Sequence, residues 1–181
     1  GYDKTYTPVV YALGAEVTEE MVEDAQFDKM RKVGEALARS ARATVEFQAF
    51  KIINDGFSVT TGPDAVYLFS ASHPLVKSGG TQSNLLTAAD LSFTSLSTAV
   101  TTMSSLLDEA GLPVNQKGSV LLVHPSNELN AIQLLQSTSE PGSMNNDVNP
   151  LVKANSGANR MKLLVSPYIT DSDSWFLFSD K

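Results

Sequence analysis

Apolar residues Met30, Val33, Leu37, Ala41, Val45, Ala49 and Ile52 recur every three or four positions, which places them on one face of a helix. Asp24, Asp28, Lys32, Glu35, Arg39, Arg42 and Glu46 recur at the same spacing on the opposite side. The pattern predicts one helix from Val17 to Asn54, on the order of 50 Å long at 1.5 Å rise per residue. Thr18 is placed to cap its start, and Glu19, Glu20, Glu23 and Asp24 suit the positive end of the helix dipole. Asn54-Asp55-Gly56 offers left-handed backbone as the stop. Asp28–Lys32 and Glu35–Arg39 are spaced as ion pairs contributing about 0.2–0.5 kcal/mol each. Such a helix exceeds the roughly 13 Å radius of gyration of a 100-residue domain, so it runs along the body or past it. Periodicity alone favours the core helix of an ordinary α/β protein. Gly34 and the alanines break the stripe, which argues against a coiled coil.

Shorter signals surround this helix. Tyr6 to Leu13 is β-branched and aromatic and predicts a strand, with Pro8 favouring an edge. Ala65 to Phe69 predicts another strand, and Ser70 to Asn84 a long loop or hairpin. Ala88 to Asp90 marks a domain boundary. Beyond it, Ser92 caps a helix from Phe93 to Ala110 whose apolar face is Leu96, Val100, Met103, Leu107 and Ala110. A buried strand at Ser119 to Val123 leads into a helix from Asn127 to Gln136, buried through Leu129, Ile132 and Leu135. Thr138 to Ala158 reads as an extended loop, followed by strands at Lys162 to Val165 and Trp175 to Phe178. The fold class is mixed α+β.

Composition narrows the function. Of 181 residues 42% are hydrophobic and 18% charged, the balance of a globular chain. The net charge of -7 argues against nucleic-acid binding as the main task. There is no cysteine, hence no disulfide and no thiolate metal site. No apolar run approaches the roughly 20 residues of a membrane span.

Catalytic motifs are absent. His73 and His124 each precede a proline and read most simply as turn residues; no Gly-x-Ser-x-Gly elbow accompanies them. Lys77-Ser78-Gly79-Gly80-Thr81 has phosphate-loop residue types in the wrong order. Asp171 with Asp173, and Asn145-Asn146-Asp147, offer oxygens but lack the glycine and final glutamate of a calcium loop. The reading needs no cofactor and no metal.

The order of elements resembles the major capsid proteins of tailed bacteriophages with the HK97-type fold. Pro8-Val9-Val10-Tyr11 through Glu19-Glu20-Met21-Val22-Glu23-Asp24 to Ile53-Asn54-Asp55-Gly56 is similar to that family's E-loop return strand and spine helix. Ser70-Ala71-Ser72-His73-Pro74-Leu75, Gly80-Thr81-Gln82-Ser83-Asn84 and Ala89-Asp90-Leu91-Ser92 resemble the passage from spine to A-domain. Leu121-Leu122-Val123-His124-Pro125-Ser126-Asn127-Glu128-Leu129 looks like an A-domain strand and helix. Leu163-Leu164-Val165-Ser166-Pro167-Tyr168 and Asp171-Ser172-Asp173-Ser174-Trp175-Phe176 match the paired strands that follow. The Mu-like head proteins are one subgroup it resembles.

The resemblance implies an HK97-like capsid fold, with residues 1–90 as return strand, spine and P-domain-like part and 91–181 as A-domain-like part. It implies a virion shell subunit, assembled in the bacterial cytoplasm into pentamers and hexamers that enclose DNA. Scaffold, portal and decoration proteins would be its other partners, with no sequence-specific nucleic acid and no membrane. Glu35, Arg39, Arg42 and Glu46 on the spine, and Asn145, Asn146, Asp147 and Asn149 in an axial loop, are the candidate subunit contacts. The family's N-terminal arm, outgoing E-loop strand and last P-domain strand have no counterpart, so truncation at both ends is expected. The alternatives are an encapsulin-type nanocompartment shell protein, sharing the fold, and a small α/β hydrolase using His73 or His124.

Overall fold

The computed structural model describes residues 3–75, 77, 79–145, 147–154 and 161–179. In chain order these form helices α1 (Glu19–Glu23) and α2 (Phe27–Asn54), a short hairpin of β1 (His73–Pro74) and β2 (Thr81–Gln82), α3 (Phe93–Ser104), β3 (Gly118–Val123), α4 (Glu128–Gln136), α5 (Pro150–Ala154), β4 (Lys162–Val165) and β5 (Trp175–Ser179). The fold is mixed α and β.

A three-stranded sheet ordered β4-β3-β5 carries the core, with β3 parallel to β4 and antiparallel to β5. Side chains alternate across a strand, so β3 serves two layers. Leu121 and Val123 join Leu91, Leu96, Ala131, Leu134, Leu135 and Leu151 under α3, α4 and α5. Leu122 faces the other way, onto Ile169 and Phe176, where Phe50, Ile53, Phe69 and Phe178 pack. Rings interlock there: Phe57–Phe69 and Phe69–Phe176 centroids lie 4.9 and 5.1 Å apart.

The long helix differs from its sequence pattern in three ways. First, it is interrupted. Ala25 adopts φ 49, while Gln26 N–H donates to Met21 C=O and Ala25 N–H to Val22 C=O, a Schellman closure. The like-charge pairs Glu19–Glu23 and Glu20–Asp24, four apart with no base in the last turn, disfavour a continuous helix there. Second, the docked face is not the predicted one. Val45 is 70% and Ile52 52% exposed; Phe50 and Ile53 make the contact instead, Ile53 lying about 100° round the helix from Ile52. No residue of α2 is fully buried, and among the described residues the side chains it packs into a core cluster, Phe50 and Ile53, lie in its last turns. Third, Gly56 serves space, not handedness: a Cβ there would meet the Phe69 ring at 2.8 Å.

Asn54 completes the attachment. Its side chain donates to Tyr168 C=O (2.9 Å) and accepts from Thr170 N–H (3.2 Å), tying the end of α2 to the β4–β5 loop. Asn127 holds the same loop from α4's side by donating to Ser172 C=O.

Other expectations are corrected by tertiary context. Among the described residues Tyr6 to Leu13 forms no ladder and no backbone hydrogen bond, and its apolar side chains are exposed. Ala65 to Phe69 is a tight loop, with Ala65 at φ 62 and a single bridge between Thr61 and Tyr67. Helix α3 stops at Ser104, short of Ala110, because the Asp108 carboxylate accepts the N–H groups of Ala110 and Leu112 and makes a turn of the predicted last helical turn. The next helix starts as a 3-10 turn, Pro125–Asn127, and Leu129 is 81% exposed. Its core face is Ala131, Leu134 and Leu135, and Leu129 lies about 200° from Ala131. The stretch from Thr138 to Ala158 contains α5.

Two outcomes test this account. Phe176→Ala should cost about 3–5 kcal/mol in denaturant unfolding, and Val45→Ala, on the face read as buried from sequence, within about 0.5 kcal/mol. Ala25→Gly should raise stability by about 1 kcal/mol, because only glycine adopts that backbone without strain.

Candidate subunit interface

Glu35, Arg39, Arg42 and Glu46 follow one another at three and four residues along α2, and continuing the row gives Phe50 and Ile53. The charged row therefore prolongs the line on which the helix docks. All four charged side chains are exposed, and α2 extends about 40 Å at 1.5 Å per residue. Among the described residues the single salt bridge is His73–Asp64, so neither Glu35–Arg39 nor Asp28–Lys32 closes as an ion pair. Holding two long solvated side chains in one geometry costs as much as such a pair contributes.

The loop after α4 is a tied structure. Ser139 bridges to Val148, Glu140 N–H donates to Asp147 C=O, and Ser143 Oγ donates to the Asp147 carboxylate at 2.6 Å. Asn145 and Asp147 are exposed beside Met144, which is 100% exposed. Asn146 lies outside the described residues. Asn149 differs in kind: it is 1% exposed, donates to Leu134 and Ser137 C=O and accepts from Leu151 N–H. It anchors the loop from inside and presents no surface.

The chain was compared with known proteins. The family model described as "Phage capsid protein" matches residues 1–181. The chain belongs to the phage capsid protein family. A search of curated proteins found no match, and neither did a search of solved structures. Membership makes this a structural capsid protein of the virion, and the exposed surfaces of α2 and the loop are read accordingly.

The histidines of the capsid protein have structural partners. His124 Nδ1 accepts from Ser126 N–H (3.1 Å) and lies 2.9 Å from Ser126 Oγ, capping the turn at Pro125–Asn127. His73 Nδ1 meets Asp64 Oδ2 at 2.6 Å, and its buried Nε2 has no partner among the described residues. Burial pushes the Asp64 carboxyl up, but hydrogen bonds from His73 and Val66 N–H, with the charge of His73, outweigh it, so Asp64 sits below its ordinary value. The Asp171 carboxyl is likewise lowered, first by Ser174 Oγ and then by Asp173 N–H, which makes it a turn residue. Among the described residues no group of three or more His, Cys, Asp or Glu side chains converges.

Phe50, the docking of Ile53, the tie that Asn54 makes and the Asp64–His73 pair escaped the sequence reading. Phe50 and Ile53 were visible only as apolar residues off the main stripe. The Asp64–His73 pair left no local signal.

The lowered Asp64 fixes a pH dependence. A carboxyl whose folded value is depressed contributes stability above its unfolded value, lost as pH falls through the folded one. The melting temperature of the native chain should exceed that of Asp64→Asn at pH 7, and the difference should be lost as pH falls below the ordinary carboxyl value of 3.8 and through the depressed folded one.

Proposed function

We propose that this protein is an HK97-type shell subunit in which α2 is the spine and the charged row Glu35, Arg39, Arg42 and Glu46 pairs with neighbouring subunits in pentamers and hexamers. The observation that carries the reading is a helix of about 40 Å held at one end, with a charged row that forms no ion pair among the described residues. Four unpaired side chains on a line that would otherwise be a docking line are suited to a partner that completes them. Asn145 and Asp147, exposed at the tied loop, are placed for contacts around a capsomer axis.

The division at residue 90 is part of the same reading. The cluster around Leu121 and Val123 is built entirely from residues 91 onward. The cluster around Leu122 is a seam where Phe50, Ile53 and Phe69 meet Ile169 and Phe176. An A-domain-like unit with its own core, joined to a spine through a seam, fits a shell subunit. The acidic chain also limits adhesion to enclosed DNA, since binding phosphates requires Lys or Arg to neutralise them.

Arg39→Glu with Arg42→Glu tests the row. The protein, expressed with the genes that neighbour its own, should lose shell yield at least tenfold by negative-stain microscopy. Stability of the isolated subunit should stay within about 0.5 kcal/mol, because both sites are exposed and unpaired. Parallel losses of shells and subunit stability would refute the reading.

A further inference from the structure

Glycine is the poorest helix former after proline, yet Gly34 sits inside α2. A Cβ built on it would meet nothing within 4 Å, so no contact among the described residues calls for a glycine there. Phe27, Val45 and Ile52 on the same helix are 60%, 70% and 52% exposed. Gly34, Ala38 and Ala41, which lie between them, are exposed as well. At about 100° per residue these side chains share an arc of roughly 60°. That arc is turned roughly 90–150° from Ile53 and Phe50, through which the helix docks on its own body. With Arg31 and Gln48 the series runs 27, 31, 34, 38, 41, 45, 48, 52. This is the alternation of four and three residues with which one helix packs along another.

The series is complementary to itself when reversed. Two copies of α2 laid antiparallel about a two-fold axis between residues 39 and 40 set Phe27 against Ile52 of the second copy. The same register sets Gly34 against Val45 and Ala38 against Ala41. The central alanines let the two backbones approach closely, and at that separation Val45 occupies the space that a side chain at position 34 would need. The alanines that thin the apolar stripe are what so close a pair requires.

Charge selects the direction and the register. In this arrangement Arg31 stands beside Glu46 of the second copy and Glu35 beside Arg42, and the two-fold axis repeats both pairs. None of these side chains forms an ion pair among the described residues. A parallel pair would instead put Arg31 on Arg31 and leave Gly34 facing Gly34. An antiparallel pair slipped by one heptad would bring Glu35 onto Glu35 or Arg42 onto Arg42. Flanking charges of this kind choose partner orientation more than they add affinity.

We propose that α2 pairs antiparallel with α2 of a second copy, through an apolar seam from Phe27 to Ile52 whose register Arg31, Glu35, Arg42 and Glu46 fix. The proposal rests on the reading of the charged row as a subunit contact and names the surface that meets it. Arg39, further round the helix, takes no part in this contact.

The chain has no cysteine, so introduced ones report without background. One protein carries Asp28→Cys and a second carries Ala49→Cys, both at exposed positions. The antiparallel pair brings residue 28 beside residue 49 of the other copy and keeps like cysteines about 30 Å apart along the axis. A short bismaleimide should therefore join the mixed proteins at least tenfold more than either protein alone. Adding Glu35→Arg to both should cut that yield at least tenfold, and adding Arg42→Glu as well should restore it to within twofold. Gly34→Leu should also cut it tenfold while raising the melting temperature of the subunit, because leucine favours the helix and meets open space in the single chain. Cross-links between like cysteines overturn the antiparallel pair, as do equal yields from the single reversal and the swap, or a gain with leucine. Shell yield, scored by negative-stain microscopy of Glu35→Arg expressed with its neighbouring genes, separates this inference from the reading beneath it. Shells lost in Glu35→Arg, with no cross-link between residues 28 and 49 in the unreversed pair, overturn the helix pair and leave the row as a subunit contact. Undiminished shells without that cross-link overturn both.

Discussion

The structure depends on β3 being covered on both faces. Leu121, Leu122 and Val123 are each at most 1% exposed, and they belong to two different clusters. Each such side chain, moved from water, contributes about 1.5–3 kcal/mol. With three consecutive residues buried, the strand accepts helices α3 and α4 on one side and the end of α2 on the other. A substitution in β3 is therefore felt in both layers at once.

What lies outside that sandwich is held by polar side chains more than by packing. Asn54 ties α2 to the β4–β5 loop. Gln82 exchanges two hydrogen bonds with the backbone of Leu107, and Asn84 donates to Leu68 C=O while accepting from Ser70 N–H. Asn149 does the same for the loop after α4. A primary amide offers both donor and acceptor, so it can stand in for a missing strand neighbour. These staples let a chain with few ladder bonds fix long irregular segments.

For a capsid protein this division has a consequence. A subunit that must meet neighbours needs apolar and charged surface left uncommitted in the single chain. Here the uncommitted surface is concentrated on α2 and on the segment 6–13, while the compact core is confined to the sheet and the elements packed on it. The rod is attached at one end by Phe50, Ile53 and Asn54, and Glu35, Arg39, Arg42 and Glu46 beyond that end are exposed.

How much of this was legible in the sequence depended on whether the signal was local. The long helix, the strand from Ser119 to Val123 and the last two strands followed from periodicity and length, and the charged row from spacing alone. The resemblance to phage capsid proteins rested on the order of those elements, and the family match bears out a capsid protein. Pairing and facing were decided elsewhere. Tyr6 to Leu13 has the composition of a strand, but a strand exists only where another backbone accepts its hydrogen bonds, and none does so among the described residues. The buried line on α2 runs through Phe50 and Ile53 because Leu122, Phe176 and Phe69 sit beside that end of the helix. Asn149 reads as a loop residue and is the loop's buried anchor. Local propensity sets what each segment can become; contacts from distant residues decide which face it buries and what it leaves exposed.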